Sequence, residues 1–289
     1  NKVAGQSADV IVIGSGMGGL TVASLLAQLA HKRVLLLERH FKLGGFTHSF
    51  SRGSHSWDVG LHYVGDMHKG SMSREIFDLI TQNRVQWQKM PSPFEKFIYP
   101  DMTFEVPDRE EAYQTALIEM FPSEKEAIRQ FFSDVRVAGR WLQMYVIAQT
   151  LPKRLGRALL SLNRGKRKLA LSHTRTVMEN RFRDPGLRAV LSSQWGDYGL
   201  PPSKSAFLIH ATIVGHYLKG GYYPVGGAGT IFDSVVSIIE ARGGQCLVNH
   251  TVTEIITKDG RAIGVKALAG SGTRAKEVEF FAPVIVSDA

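Results

Sequence analysis

Cysteine is almost absent from the chain: Cys246 stands alone in 289 residues, which excludes an internal disulfide and fits a reducing compartment. Its apolar neighbours mark it as a buried strand residue. No G-x-S-x-G and no H-E-x-x-H occur, and the spacing of His48, His55 and His62 among the ten histidines matches no metal-ligand pattern. Nucleophilic and metal catalysis therefore have no footing here, and no metal ligand is expected. The start carries no basic n-region, apolar h-region and cleavage site. It opens without Met in a polar lead, Asn1 to Ala8, so a true N-terminus upstream is expected. Acidic residues are missing from one long stretch. Between Val135 and Met178 there are ten Lys or Arg and no Asp or Glu, while the rest of the chain is close to neutral. The net charge of +9 is thus a local property and points to an anionic surface.

A 44% hydrophobic composition over this length supports one large or two ordinary domains with a real core. The most informative stretch is Asp9 to Glu38. An apolar strand, Val10 to Ile13, leads into Gly14-Ser15-Gly16-Met17-Gly18-Gly19, then an uncharged helical run to about Leu29 and a second apolar strand closing in Leu35-Leu36-Leu37-Glu38. A hydropathy window flags Val10 to Ala30 as a membrane span, but the glycines and the strand-length first half argue against one. The pattern is a βαβ dinucleotide-binding unit. Gly14 permits the tight turn, Gly16 lets the backbone approach a pyrophosphate, Gly19 lets helix and strand pack closely, and Glu38 accepts from a ribose hydroxyl. A tight strand-to-helix turn in some other α/β protein leaves Glu38 unexplained.

Beyond Glu38 come Arg39, a connector with Gly44-Gly45, and a hairpin leading into Asp58-Val59-Gly60-Leu61-His62-Tyr63. At these residues the sequence resembles the FAD-binding start of the amine-oxidase and carotenoid-desaturase flavoproteins. Gly60 to Gly65, Pro91-Ser92-Pro93-Phe94 and the run Gly215-His216-Tyr217-Leu218-Lys219-Gly220-Gly221-Tyr222-Tyr223-Pro224 are most similar to the retinol saturase group within them. The resemblance runs from about Asp9 to Ala289. It implies an α/β fold: a Rossmann-like FAD-binding domain of the glutathione-reductase and amine-oxidase type, with an inserted, largely helical substrate domain. The expected division is 1–88 for the first part of the FAD domain, 89–222 for the substrate domain and 223–289 for the return segment. It implies FAD as cofactor, NAD(P)H as an electron donor and a hydrophobic polyene as substrate. The cofactor residues carried over are Gly14, Ser15, Gly16, Met17, Gly18, Gly19, Glu38, Arg39, Gly44, Gly45, Asp58, Gly60 and, through its backbone at the adenine, Val252.

A flavin brings its own chemistry, so the protein has to hold the ring and aim the substrate. Saturating a C=C bond takes a hydride from reduced flavin and a proton from elsewhere, for which His62 or Tyr63, just after Gly60, and His216 or Tyr217 are the candidates. Each is equally readable as a hydrogen-bonded core residue. The same resemblance leaves open carotenoid desaturation or isomerisation, a nicotinamide-linked dehydrogenase, and a non-enzymatic prenyl carrier like the GDP dissociation inhibitors. Relatives end the cofactor site with a strand closing in Gly-Asp. Gly65-Asp66 and Gly196-Asp197 do not fit that place, so the chain, stopping at Val284 to Ala289, reads as a fragment.

Capping boxes at Asp108/Glu111 and Ser123/Glu126 predict two helices, the second reaching about Ile147 before Pro152. From Leu151 to Arg175 the pattern is amphipathic, with Leu151, Leu155, Leu159 and Leu162 on one face and Arg154, Arg157, Ser161 and Arg164 on the other. This predicts peripheral membrane contact through 151–175, on the cytoplasmic side in a bacterium or at the endoplasmic reticulum in a eukaryote. A solvated helix covering the core is the alternative. Nucleic acid is not expected, because aromatics for base stacking are missing there. Pro201-Pro202 opens a further helix to about Tyr217, and strands after Gly243-Gly244 complete the chain.

Overall fold

A computed structural model describes residues 8–289, and the polar lead, residues 1–7, lies outside them. Contacts divide the chain into two units: one takes it to Tyr63 and then Met67–Gln88 and Tyr222–Ala289, the other takes Val64–Asp66 and Lys89–Gly221.

The first unit is built on four strands that are apolar at nearly every position. Strands β1 (Val10–Ile13) and β2 (Val34–Leu37) are joined by helix α1 (Met17–Leu29), and all eight strand residues are buried. That is the mark of a parallel sheet covered on both faces. Later strands β9 (Gln245–Leu247) and β13 (Val284–Ser287) complete the order β13-β1-β2-β9, every pair parallel. Strand alternation sends Val10, Val12, Val34 and Leu36 to one face, against α1 and helix α10 (Gly229–Ala241). Ile11, Ile13, Leu35 and Leu37 go to the other, against Val265 and Ala282 of the segment that forms the antiparallel sheet β10 (His250–Lys258), β11 (Arg261–Ala269) and β12 (Lys276–Phe281). The Asp259-Gly260 turn takes positive φ at both residues, as a two-residue hairpin requires. Hairpin β3 (Ser49–Arg52) and β4 (His55–Asp58) and helix α2 (Met72–Thr81) also belong to this unit.

The second unit pairs a hairpin, β6 (Glu95–Ile98) with β7 (Thr103–Val106), and is otherwise helical. Its helices are α3 (Glu110–Met120), α4 (Lys125–Thr150), α5 (Lys153–Ser161), α6 (Arg164–Leu171), α7 (Thr174–Arg181), α8 (Pro185–Ser192) and α9 (Phe207–Tyr217). Phe131 and Phe132 of α4 meet Tyr113, Phe182 and Phe207 in an aromatic core.

Several local expectations change. Neither capping box forms: Asp108 pairs with Lys89 and α3 is entered from Arg109, while Glu126 pairs with Arg129 and α4 is entered from Glu124, neither helix having a side-chain cap. The 151–175 stretch is three short helices, broken at Leu162-Asn163 and again at Ser172-His173. The last helix of the unit starts at Phe207; Pro201 to Lys204 is a turn whose carbonyls serve neighbours instead.

Candidate functional site

Backbone geometry builds the cradle between β1 and α1. Gly14 takes φ +93, a conformation that strains any side chain, and donates to the Leu37 carbonyl at 2.8 Å. A Cβ on Gly19 would collide with the Gly14 carbonyl, so the helix approaches the strand end only with glycine there. Gly16 caps α1 without any side-chain bond, leaving the first-turn amides facing outward. Over that end lies the carboxylate of Asp288, whose amide donates to Ile13 at 2.9 Å; its Oδ2 would stand 3.0 Å from a Cβ on Gly16 and crowds Gly18 and Gly19 as well. A carboxylate thus lies beside the positive end of a helix, a place that also suits a pyrophosphate.

Glu38, buried at the end of β2, faces the same loop. Its Oε2 accepts from the Ser15 amide at 2.8 Å and the Ser15 hydroxyl at 2.6 Å, and its Oε1 from the His40 amide at 2.8 Å. Burial works against its charge, but these bonds outweigh burial and hold the carboxyl below its ordinary range. Ser15 Oγ also accepts from Gly44 at 3.1 Å, and a Cβ on Gly45 would stand 3.0 Å from Gly16 Cα. The second glycine pair is thus pressed against the first. Arg39 and Met17 border this cluster, Arg39 exposed.

Asp58 is committed within the unit: it accepts from the Tyr223 hydroxyl and, at 2.9 Å, from the Ala228 amide, tying the hairpin to the start of α10. Burial and that carboxylate push the Tyr223 phenol up to about 12. Gly60 bonds the Phe46 carbonyl at 3.0 Å, and a Cβ on it would meet the Phe46 side chain. Val252 is half-buried against the sheet, at a break in the β10 register between it and Glu254. His62 is exposed, its ring edge-on to Tyr63 at 4.9 Å.

His216 and Tyr217 belong to the helical unit. The Gly65 amide donates to His216 Nε2 at 2.8 Å, so that nitrogen carries a lone pair and the ring proton sits on Nδ1. His216 thereby holds the 64–66 loop. Burial raises the Tyr217 phenol well above its ordinary range. Asp66, Arg109, Glu110, His216 and Lys219 line a cleft of about 370 Å³ in this unit. Among the described residues no cluster of His, Cys, Asp and Glu could hold a metal, and no helix is long and apolar enough to cross a membrane.

Sequence reasoning missed Asp288 and Tyr223. The first had a readable signal, an acid closing an apolar strand; the second had none, since its partner lies 165 positions away.

The cradle, its acid and the doubly covered sheet define a Rossmann-like α/β fold carrying a helical insertion. A family model described as an NAD(P)-binding Rossmann-like domain matches residues 12–80. The chain is 36% identical over 98% of its length to the all-trans-retinol 13,14-reductase of Macaca fascicularis, of which it covers 47%, and 28% identical over 97% to prolycopene isomerase 2 of an Oncidium hybrid cultivar, of which it covers 48%. The chain is thus similar along nearly all of its length to a retinol 13,14-reductase and a prolycopene isomerase, and spans about half the length of these relatives. Among solved structures, cyclohexylamine oxidase from Brevibacterium oxydans has the same fold at TM-score 0.62 and 18% identity, covering 97% of this chain and 58% of that one. A Plasmodium falciparum Rab GDI shares it at 0.55 and 14%, covering 98% and 66%.

Proposed function

We propose that the complete protein is an FAD-dependent oxidoreductase acting on a carbon–carbon double bond of an isoprenoid polyene, saturating one bond of all-trans-retinol or a close analogue. The observation that carries the reading is the intact cradle with Glu38 held charged beside it, in a chain with a retinol reductase as relative.

The groups present fit a dinucleotide. Gly14 to Gly19 and the amides opening α1 would hold the pyrophosphate, where Asp288 now lies. Glu38 would receive a ribose hydroxyl on the lone pairs its three donors leave free, and the Val252 backbone would border the adenine. Bound there, a flavin supplies hydride transfer, with NAD(P)H as the electron source. Gly44, Gly45 and Gly60 keep side chains out of the cofactor's path. Asp58 and Tyr223 fix the hairpin that presents Gly60. His62, exposed two residues later, supplies the proton from its ring; His216 keeps its proton on Nδ1 and orders Gly65.

The test uses the full-length gene product loaded with FAD, reduced without oxygen and mixed with all-trans-retinol while both absorption bands are followed. Flavin reoxidation with a blue shift of the polyene band is the expected result. A reduced flavin beside unchanged polyene refutes the saturase reading, and a changed polyene without net flavin oxidation favours isomerisation.

A further inference from the structure

The helical unit leaves an apolar surface open at the end of α4 and along α5. Tyr145, Val146 and Ile147 at the end of α4 are 42%, 56% and 53% exposed, and Leu155 and Leu162 along α5 are 59% and 83% exposed. The cause lies in how α5 folds back. Gly156 lies on the Ala148 carbonyl so closely that any Cβ would collide with it, so the Gly156 side of α5 faces α4 and the leucines one residue earlier and six later turn away from the core. Leucines that served only to cover the unit would point the other way. Around them the seven cations from Lys153 to Lys168 are all exposed, and none pairs with a carboxylate among the described residues, whereas Arg136 and Arg175 at the margins do, with Glu110 and Glu179.

We propose that this surface, the end of α4 with α5 and α6, docks on an anionic phospholipid bilayer. Charge chooses the occupant: a long acid-free stretch complements lipid phosphates and carboxylates, while the leucines reach the acyl boundary beneath the headgroups. A purely solvated face would not carry Leu162 in the open. Nucleic acid would use the cations and leave the leucines idle, and the only ring among residues 151–175 is His173. The break between α5 and α6 matters as well. A continuous helix could put either stripe down, whereas two short helices packed on α4 present leucines and cations in one fixed arrangement. This inference stands on the surface alone and is independent of the flavin chemistry.

The experiment is flotation of the full-length protein with phosphatidylcholine vesicles, with and without phosphatidylserine, at low and raised salt. Binding is expected with phosphatidylserine only, and to weaken as salt screens the cations. Leu155→Asp with Leu162→Asp should cut the bound fraction at least about ten-fold, and Arg154→Ala with Arg157→Ala should cut it several-fold, with melting temperature and flavin absorption unchanged because all four residues are exposed. Indifference of the native protein to phosphatidylserine, or full binding by the leucine variant, overturns the proposal. So do the two other occupants. If further chain covers the face, Leu162→Cys resists a water-soluble maleimide; if a second copy covers it, the native protein is a dimer that Leu155→Asp splits. The native thiol gives little background, since burial pushes Cys246 up to about 12.

Discussion

Glu38 in the first unit and His210 in the helical unit are both buried, and their surroundings drive them to opposite charge states. Three donors converge on Glu38 and keep it ionised. His210 sits among the rings of Phe131 and Phe207, with Tyr198 Oη at 3.2 Å from Nδ1, and burial lowers it to about 4, so it is neutral. One site gathers donors in readiness for a polar ligand; the other spends a polar residue on packing. The same contrast runs through the two units, with a buried charge at one loop end and an apolar interior behind a cationic surface in the other.

The largest effect should follow from breaking the cradle. Gly19→Val drives a side chain into the Gly14 carbonyl, and we expect a loss of at least about 3 kcal/mol with no flavin retained, read from the melting temperature and visible absorption of the purified full-length protein. Next comes the neutral histidine. Unfolding frees His210 to bind a proton at its ordinary value of 6.5, against about 4 when folded, so the unfolded state takes up more protons in that window. Stability therefore falls as pH drops from about 6.5 to about 4, by about 3 kcal/mol in all, and His210→Phe should remove that slope in urea titrations across the range. The smallest is Glu38→Gln, which keeps the shape and turns an amide toward Ser15 or His40. We expect about 1 to 2 kcal/mol of lost stability and weaker flavin binding by about ten-fold in a fluorescence titration. Because the folded Glu38 value is depressed, its contribution is present above the unfolded value of 4.5 and is lost as pH falls through the folded one. The Gln variant should lack that loss, in a window separate from that of His210.

Much of the first unit was legible because its determinants are local. Gly14 needs its positive φ, Gly19 needs its missing Cβ, and four-residue apolar strands alternating between two covered faces need a parallel sheet. Glu38 announced itself as an acid at a strand end. The helical unit was legible as helices but not at their ends. Asp108 and Ser123 carry good local capping signals, yet Asp108 pairs with Lys89, and Glu126, the expected partner of Ser123, pairs with Arg129. That His216 accepts from the Gly65 amide, 151 positions away, could not be read from its sequence neighbours.

The residues by themselves determined the nucleotide-binding strand-turn-helix, the acid that serves it and the accumulation of cations without acids between Val135 and Met178, because each depends on neighbours within one turn or one crossover. Tertiary structure alone decided that Asp288 lies over the cradle, that Asp58 is tied to Tyr223 and that Leu155 and Leu162 face outward, because each is a contest among partners distant in sequence, settled by which of them packing brings within reach.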